Sequence, residues 1–196
     1  AKITVMEDGV LIAPAPYSAP AAYHFPTVGR MEAVEVRKGS SQVKYGPQTI
    51  GGALNLVSST IPETSMLRVD ADGGSGGMWK VRARAGDSGS NFGWLVETYR
   101  VETDGFKELD TGGDTGFQVA DHLIKLRYHT DPAARNHHAV ELKLGLTDHV
   151  SDETYLGLTD EDFARTPLRR YAGSQVDVME SEHRQLQLRH IFRAGD

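Results

Sequence analysis

The chain has 196 residues, 39% of them hydrophobic and 24% charged, with 21 Gly, 8 Pro and no Cys. A formal charge of −6 without any dense Lys/Arg block argues against a nucleic-acid partner. The lack of cysteine excludes disulfide scaffolds, thiol nucleophiles and Cys-based metal sites, and no apolar run reaches the 18 residues of a transmembrane helix.

Ala1-Lys2-Ile3-Thr4-Val5 already reads as a strand rather than a signal peptide, so the chain is expected to be mature or cut from something longer. Ile3–Met6 leads into Glu7-Asp8-Gly9, where Asp-Gly supplies the positive φ of a tight turn. Pro14, Pro16, Pro20 and Pro26 make 13–27 a loop. Met31–Val36 alternates apolar and acidic residues, which predicts a strand with one buried face, and Leu54–Val57 is the last strand before Pro62. Composition breaks there. Residues 1–62 carry a balance of +1 and the rest −7, which marks a domain boundary.

Beyond the boundary the period is two. Leu67, Val69 and Ala71 alternate with Arg68, Asp70 and Asp72; Trp79, Val81, Ala83 and Ala85 with Lys80, Arg82 and Arg84. Ile124, Leu126 and Tyr128 alternate with Lys125, Arg127 and His129, and Val140–Leu146 with Glu141, Lys143 and Gly145. Leu186, Leu188 and Phe192 form another such stripe, interrupted by His190, and 92–102 is strand-like with an ambiguous phase. Six strands of about ten residues follow, long enough to cross a bilayer at a tilt. Two architectures fit. A soluble sheet turns the charges to water and packs the apolar face on a core. An outer-membrane barrel turns the apolar face to lipid. Short connections at 73–77, 87–91 and 131–136 and long ones at 103–117 and 150–180 roughly alternate, as barrel turns and external loops do.

The stretch Met31–Val57, with Glu35, Lys38-Gly39, Tyr45-Gly46, Gly51-Gly52 and Asn55, resembles the plug signature of TonB-dependent outer-membrane receptors, and Asp8-Gly9 fits that family's upstream turn. Ala13–Tyr17, Tyr45–Gln48, Gly105-Phe106-Lys107, Gly112–Phe117 and Glu153–Thr159 are similar to the ferric-dicitrate branch. The resemblance implies an all-β dominated fold: the C-terminal half of an α+β plug domain (1–62), then the first six or so antiparallel meander strands (63–196) of a barrel of about 22 strands. It also implies the bacterial outer membrane as location, lipid and TonB as partners, and import of a ferric siderophore or ferric citrate-like chelate. The TonB-contact segment lies upstream in the family. The alternative is a soluble all-β binding module carrying a plug-like motif.

Under that resemblance Tyr17 and Ser18 form a ligand-facing plug apex. Asp8, Gly9, Glu35, Lys38, Gly39, Tyr45, Gly46, Gly51, Gly52 and Asn55 serve the plug fold and its contact with the barrel. Lys38 stands where the family usually has Arg, a looser point contact. Arg169 and Arg170 are candidates for attracting an anionic chelate, although Asp160, Glu161 and Asp162 stand close by in sequence. Thr159 followed by those acids reads as a helix N-cap. No catalytic constellation assembles, so no enzyme is expected. No cofactor or side-chain metal site is expected either, since iron arrives inside its chelate and the adjacent His137 and His138 point to opposite faces of a strand.

Overall fold

The computed structural model describes residues 3–12, 24–39, 45 and 50–195. Two compact units emerge, Ala1–Thr60 and Ile61–Asp196.

The first unit is a four-stranded sheet built from β1 (Ile3–Glu7), β2 (Val10–Leu11), β3 (Met31–Arg37) and β4 (Gly52–Ser58), in the order β2-β1-β4-β3. β1 runs parallel to β4, placing Ile3 opposite Gly52 and Glu7 opposite Leu56, while β3 and β2 pair antiparallel to their neighbours. Val5, Met6, Ala53 and Leu56 are buried. Glu7, at the end of β1, meets Arg30 in an ion pair of 2.9 Å with both side chains almost wholly out of water. Among the described residues this unit holds a short 3-10 turn at Val28–Arg30 and no α-helix, so the helical half of the expected plug is not seen in them. The expected buried face of Met31–Val36 is also corrected: Val34 and Val36 are exposed, and among the described residues of this unit no layer covers that side of β3.

The second unit is dominated by one antiparallel meander. It comprises β5 (Met66–Gly73), β6 (Trp79–Ser88), β7 (Phe92–Thr103), β9 (Phe117–His129), β10 (Asn136–Asp152) and β12 (Val178–Ala194). Sheet order follows chain order apart from two short strands, β8 (Glu108–Leu109) and β11 (Arg169–Arg170), which pair parallel with each other. The six alternating segments are therefore six strands, though their lengths run from 8 residues in β5 to 17 in β10 and β12. Continuous register carries rows of side chains across the sheet; Val96, Ile124, Leu144 and Leu186 form one such row. The ambiguous segment 92–102 is resolved with Leu95, Glu97, Tyr99 and Val101 on the buried face. Leu95 and Leu123 meet Ile61 and Met66 in a small apolar cluster at the start of the meander.

Candidate functional site

In the first unit the residues of the plug-like motif converge on one network. Asp8 and Gly9 turn the chain between β1 and β2, both with positive φ (51° and 81°), the conformation that Asp-Gly adopts most readily. The Asp8 carboxylate accepts hydrogen bonds from the Ser58 N–H (2.9 Å) and hydroxyl (2.6 Å), fastening the turn to the end of β4. The Gly9 N–H donates to Asn55 Oδ1 at 2.8 Å, and Asn55 Nδ2 donates to Glu35 at 3.1 Å. Asn55 thus ties three strands together through both ends of its amide. Lys38 and Gly39 follow β3 on the surface, and Tyr45 is half-buried. Gly51 and Gly52 lead into β4, where a side-chain carbon at Gly52 would stand 2.9 Å from the Arg37 carbonyl oxygen. Tyr17, Ser18 and Gly46 lie outside the described residues.

The meander has two faces of opposite character, and the burial is inverted relative to a soluble sheet. Glu97 and Asp121 are 1% exposed, and Lys125 and Lys143 are buried beside them. Arg82 donates to Glu97 at 2.5 Å on that face. On the other face Leu67, Val69, Val96, Leu146, Leu186 and Leu188 are exposed, Leu186 at 71%. Water on that side would meet an extensive apolar wall while charges are desolvated on the reverse, two penalties a soluble sheet avoids by facing the other way. Of the two arrangements the alternation allows, this is the one that turns the apolar stripe outward. The apolar stripe has limits: along β10 it runs from Val140 to Leu146, and beyond it Asp148 stands level with Glu182, and Val150 with Glu180.

Three connections gather at one end of the meander: 74–78, 104–116 and 153–177. Their backbones are pressed together. The Asp104 N–H donates to the Gly76 carbonyl (2.8 Å), Thr115 N–H to the Asp104 carbonyl (2.8 Å) and Asp152 N–H to the Gly116 carbonyl (2.9 Å). At Gly116 a side-chain carbon would overlap the Thr103 carbonyl oxygen and approach the Gly105 nitrogen at 2.6 Å, so only glycine fits. Gly105, Thr115 and Gly116 of the two glycine motifs are thereby accounted for by close backbone packing. Beside it lies an open cavity of about 490 Å³. Gly76, Thr103, Gly105, Ser151 and the aromatic Phe106 and Phe117 are among its lining.

Arg169 and Arg170, adjacent in β11, are engaged in different ways. Arg169 forms ion pairs with Asp110 (2.7 Å) and Asp162 (3.2 Å), its guanidinium 4.8 Å above the Tyr171 ring. Its hydrogen bonds hold the Asp110 carboxyl below the ordinary aspartate range, and the Tyr171 hydroxyl, backed by the Arg169 charge, does the same for Asp162. Arg170 is 1% exposed and donates to the carbonyls of Glu153 and Ser174 (2.5 Å each) and Asp177 (3.3 Å). Both guanidinium groups close the loop. α1 (Asp160–Arg165) starts as expected, with Thr159 Oγ1 accepting the Asp162 N–H at 3.1 Å. Lys107, which the sequence marks as part of a motif but not as a site residue, donates from its ammonium to the Thr154 hydroxyl at 3.0 Å and has no carboxylate within ion-pair distance among the described residues. Its place after Gly105-Phe106 was the available signal.

No protein-family model matches the sequence. The chain is 30% identical over 135 residues to the vitamin B12 transporter BtuB of Photobacterium profundum, a match covering 61% of this chain and 22% of that protein. Its fold is similar to that of the ferric citrate transporter FecA in the unliganded form, with a TM-score of 0.77 at 22% identity, over 98% of this chain and 29% of the other. The outer-membrane ferripyoverdine receptor of Pseudomonas aeruginosa matches at a TM-score of 0.53 and 14% identity, over 74% of this chain and 19% of its own. The chain spans about a fifth to under a third of the lengths of these relatives, which are transporters and receptors rather than enzymes. What the chain is similar to, in fold and over part of its sequence, is therefore a portion of a transporter or receptor of this kind.

Proposed function

We propose that residues 1–62 are the second half of a plug and residues 63–196 the opening strands of the barrel in a receptor that binds a ferric chelate at the cell surface and imports it with energy relayed by TonB. The observation that carries this reading is the inverted sheet: exposed leucines on one face and buried Glu97, Asp121, Lys125 and Lys143 on the other. Hydrocarbon is the solvent that makes the first face favourable, and an interior filled by protein and water accommodates the second. A soluble module gains nothing from either.

The end carrying 104–116 and 153–177 is the outer one, because barrels of this class keep longer loops outside. Iron is cargo, held by the chelator, and its recognition calls for no protein side chain on the metal. Arg169 and Arg170 build the loop, and Lys107, without a carboxylate partner among the described residues, follows Phe106 of the cavity lining. An anionic, ferric citrate-like chelate matches that combination. The test is binding of iron-55 chelates to outer membranes carrying the receptor, with ferric citrate, a pyoverdine-type siderophore and cobalamin compared. Saturable binding of ferric citrate, weakened by Lys107→Gln, supports the assignment. Binding of cobalamin alone overturns the chelate, and recovery of the protein only in soluble fractions overturns the receptor.

A further inference from the structure

We propose that His138 and His190 form a two-imidazole site for a first-row divalent transition-metal ion of the nickel, copper or zinc class, on the apolar face of the meander and away from its long loops. The two residues are far apart in sequence but diagonal neighbours in the sheet: His138 lies opposite Phe192, and His190 opposite Val140, all on one face. His138 Nδ1 and His190 Nε2 stand 3.0 Å apart. The ring planes are parallel within 2° and the centroids 5.3 Å apart, so the two nitrogens lie between the rings and face one another.

Two facing imidazole nitrogens at this distance share one proton, since a neutral ring offers one donor and one acceptor. A metal ion takes the place of that proton, which moves through water to the other nitrogen of the ring that carried it, so that both facing nitrogens present lone pairs. Neighbouring nitrogens around a metal bound at about 2.0–2.1 Å are separated by roughly 3 Å, the spacing already present. The rings need only swing so that their lone pairs converge beside the nitrogen–nitrogen line, and the outer torsion of histidine is soft. His190 is exposed and His138 half-buried, and both lie within a few residues of the strand ends beside the 131–136 connection, outside the Val140–Leu146 stripe, so an aqueous ion reaches them at the rim and water completes its shell. Phe192, 4.8 Å from the His138 ring, confines that ring on one side. Neutral nitrogen donors select the imidazole-seeking metals and reject calcium and magnesium. His137 takes no part: it is on the opposite face, bonded near Thr130 and Asp131.

The experiment uses the tag-free receptor purified in detergent and titrated with Cu²⁺, Ni²⁺ and Zn²⁺. One ion per chain is expected, with a Cu²⁺ electron paramagnetic resonance spectrum showing coupling to two nitrogens. His138→Ala and His190→Phe, the latter keeping an apolar ring on that face, each weaken binding at least tenfold; His137→Ala leaves it unchanged. Absence of stoichiometric binding, coupling to fewer than two nitrogens, or affinity retained in His190→Phe overturns the site.

Discussion

Replacing Leu144 by arginine separates a lipid-facing sheet from a water-facing one in a single measurement. Leu144 is at the middle of the 17-residue β10, flanked in its row by Ile124 and Leu186. Against hydrocarbon, an arginine at mid-depth costs about 2–4 kcal/mol, falling to about 0–1 near the boundary. In water an exposed Leu→Arg change moves stability by only about 0.5 kcal/mol either way. Asp148, two residues beyond Leu146 on the same face, provides the boundary control. Urea-driven unfolding of the receptor from lipid vesicles should therefore show Leu144→Arg destabilised by about 2–4 kcal/mol and Asp148→Arg by no more than about 1 kcal/mol. Equal effects at the two depths, or a Leu144→Arg change within about 0.5 kcal/mol of the parent, would refute the assignment of that face to lipid.

Gly116→Ala places a carbon on the Thr103 carbonyl with backbone on both sides, so protease cleavage within 104–116 should rise while the strand signal in circular dichroism persists. Arg170→Met strips a donor from three carbonyls, each worth about 1–3 kcal/mol when buried unpaired, and should speed amide exchange across 153–177. Asp8→Ala removes both bonds to Ser58 and should destabilise the first unit by about 1–3 kcal/mol in denaturant titrations of the receptor. The folded-state pKa values of Asp110 and Asp162 are depressed, so their contribution is complete at neutral pH and is lost as pH falls below the ordinary aspartate value of about 3.9. Amide exchange in the β8–β11 pair should accelerate there, and Asp110→Asn should weaken that pH response; an unchanged profile in the variant counts against the Arg169 clamp.

Local chemistry was legible wherever it acted over a few residues. Thr159 capped its helix, Asp8-Gly9 made its turn, and alternation marked the strands from Leu67 to Phe192, save for the phase of 92–102 and the break at His190. The solvent of each face was not legible, because a period of two is the same with lipid on one side as with water on the other. Arg170 looked like a free loop cation since the carbonyls it serves belong to Glu153, Ser174 and Asp177, brought round it only by the closed loop. Ser58 carried no signal of its own; its bond to Asp8 depends on the parallel pairing of β1 with β4. His190 stood out as an interruption of an apolar stripe, yet its partner could be identified only once the β10–β12 register was fixed.

The 17-residue ladder of β10 and β12 is longer than any bilayer requires. In the proposed barrel a tilted strand crosses hydrocarbon in about 9–11 residues centred on the Val140–Leu146 stripe, and the remaining roughly six to eight stand clear at its two ends, most of them on the side where Asp148, Glu180 and Glu182 turn outward. That freeboard frees the segment from 153 to 177 of the rule that forbids irregular backbone amid fatty-acid chains. Its bends, its stub of helix and its lone buried guanidinium are hydrated architecture, raised on a parapet above the membrane.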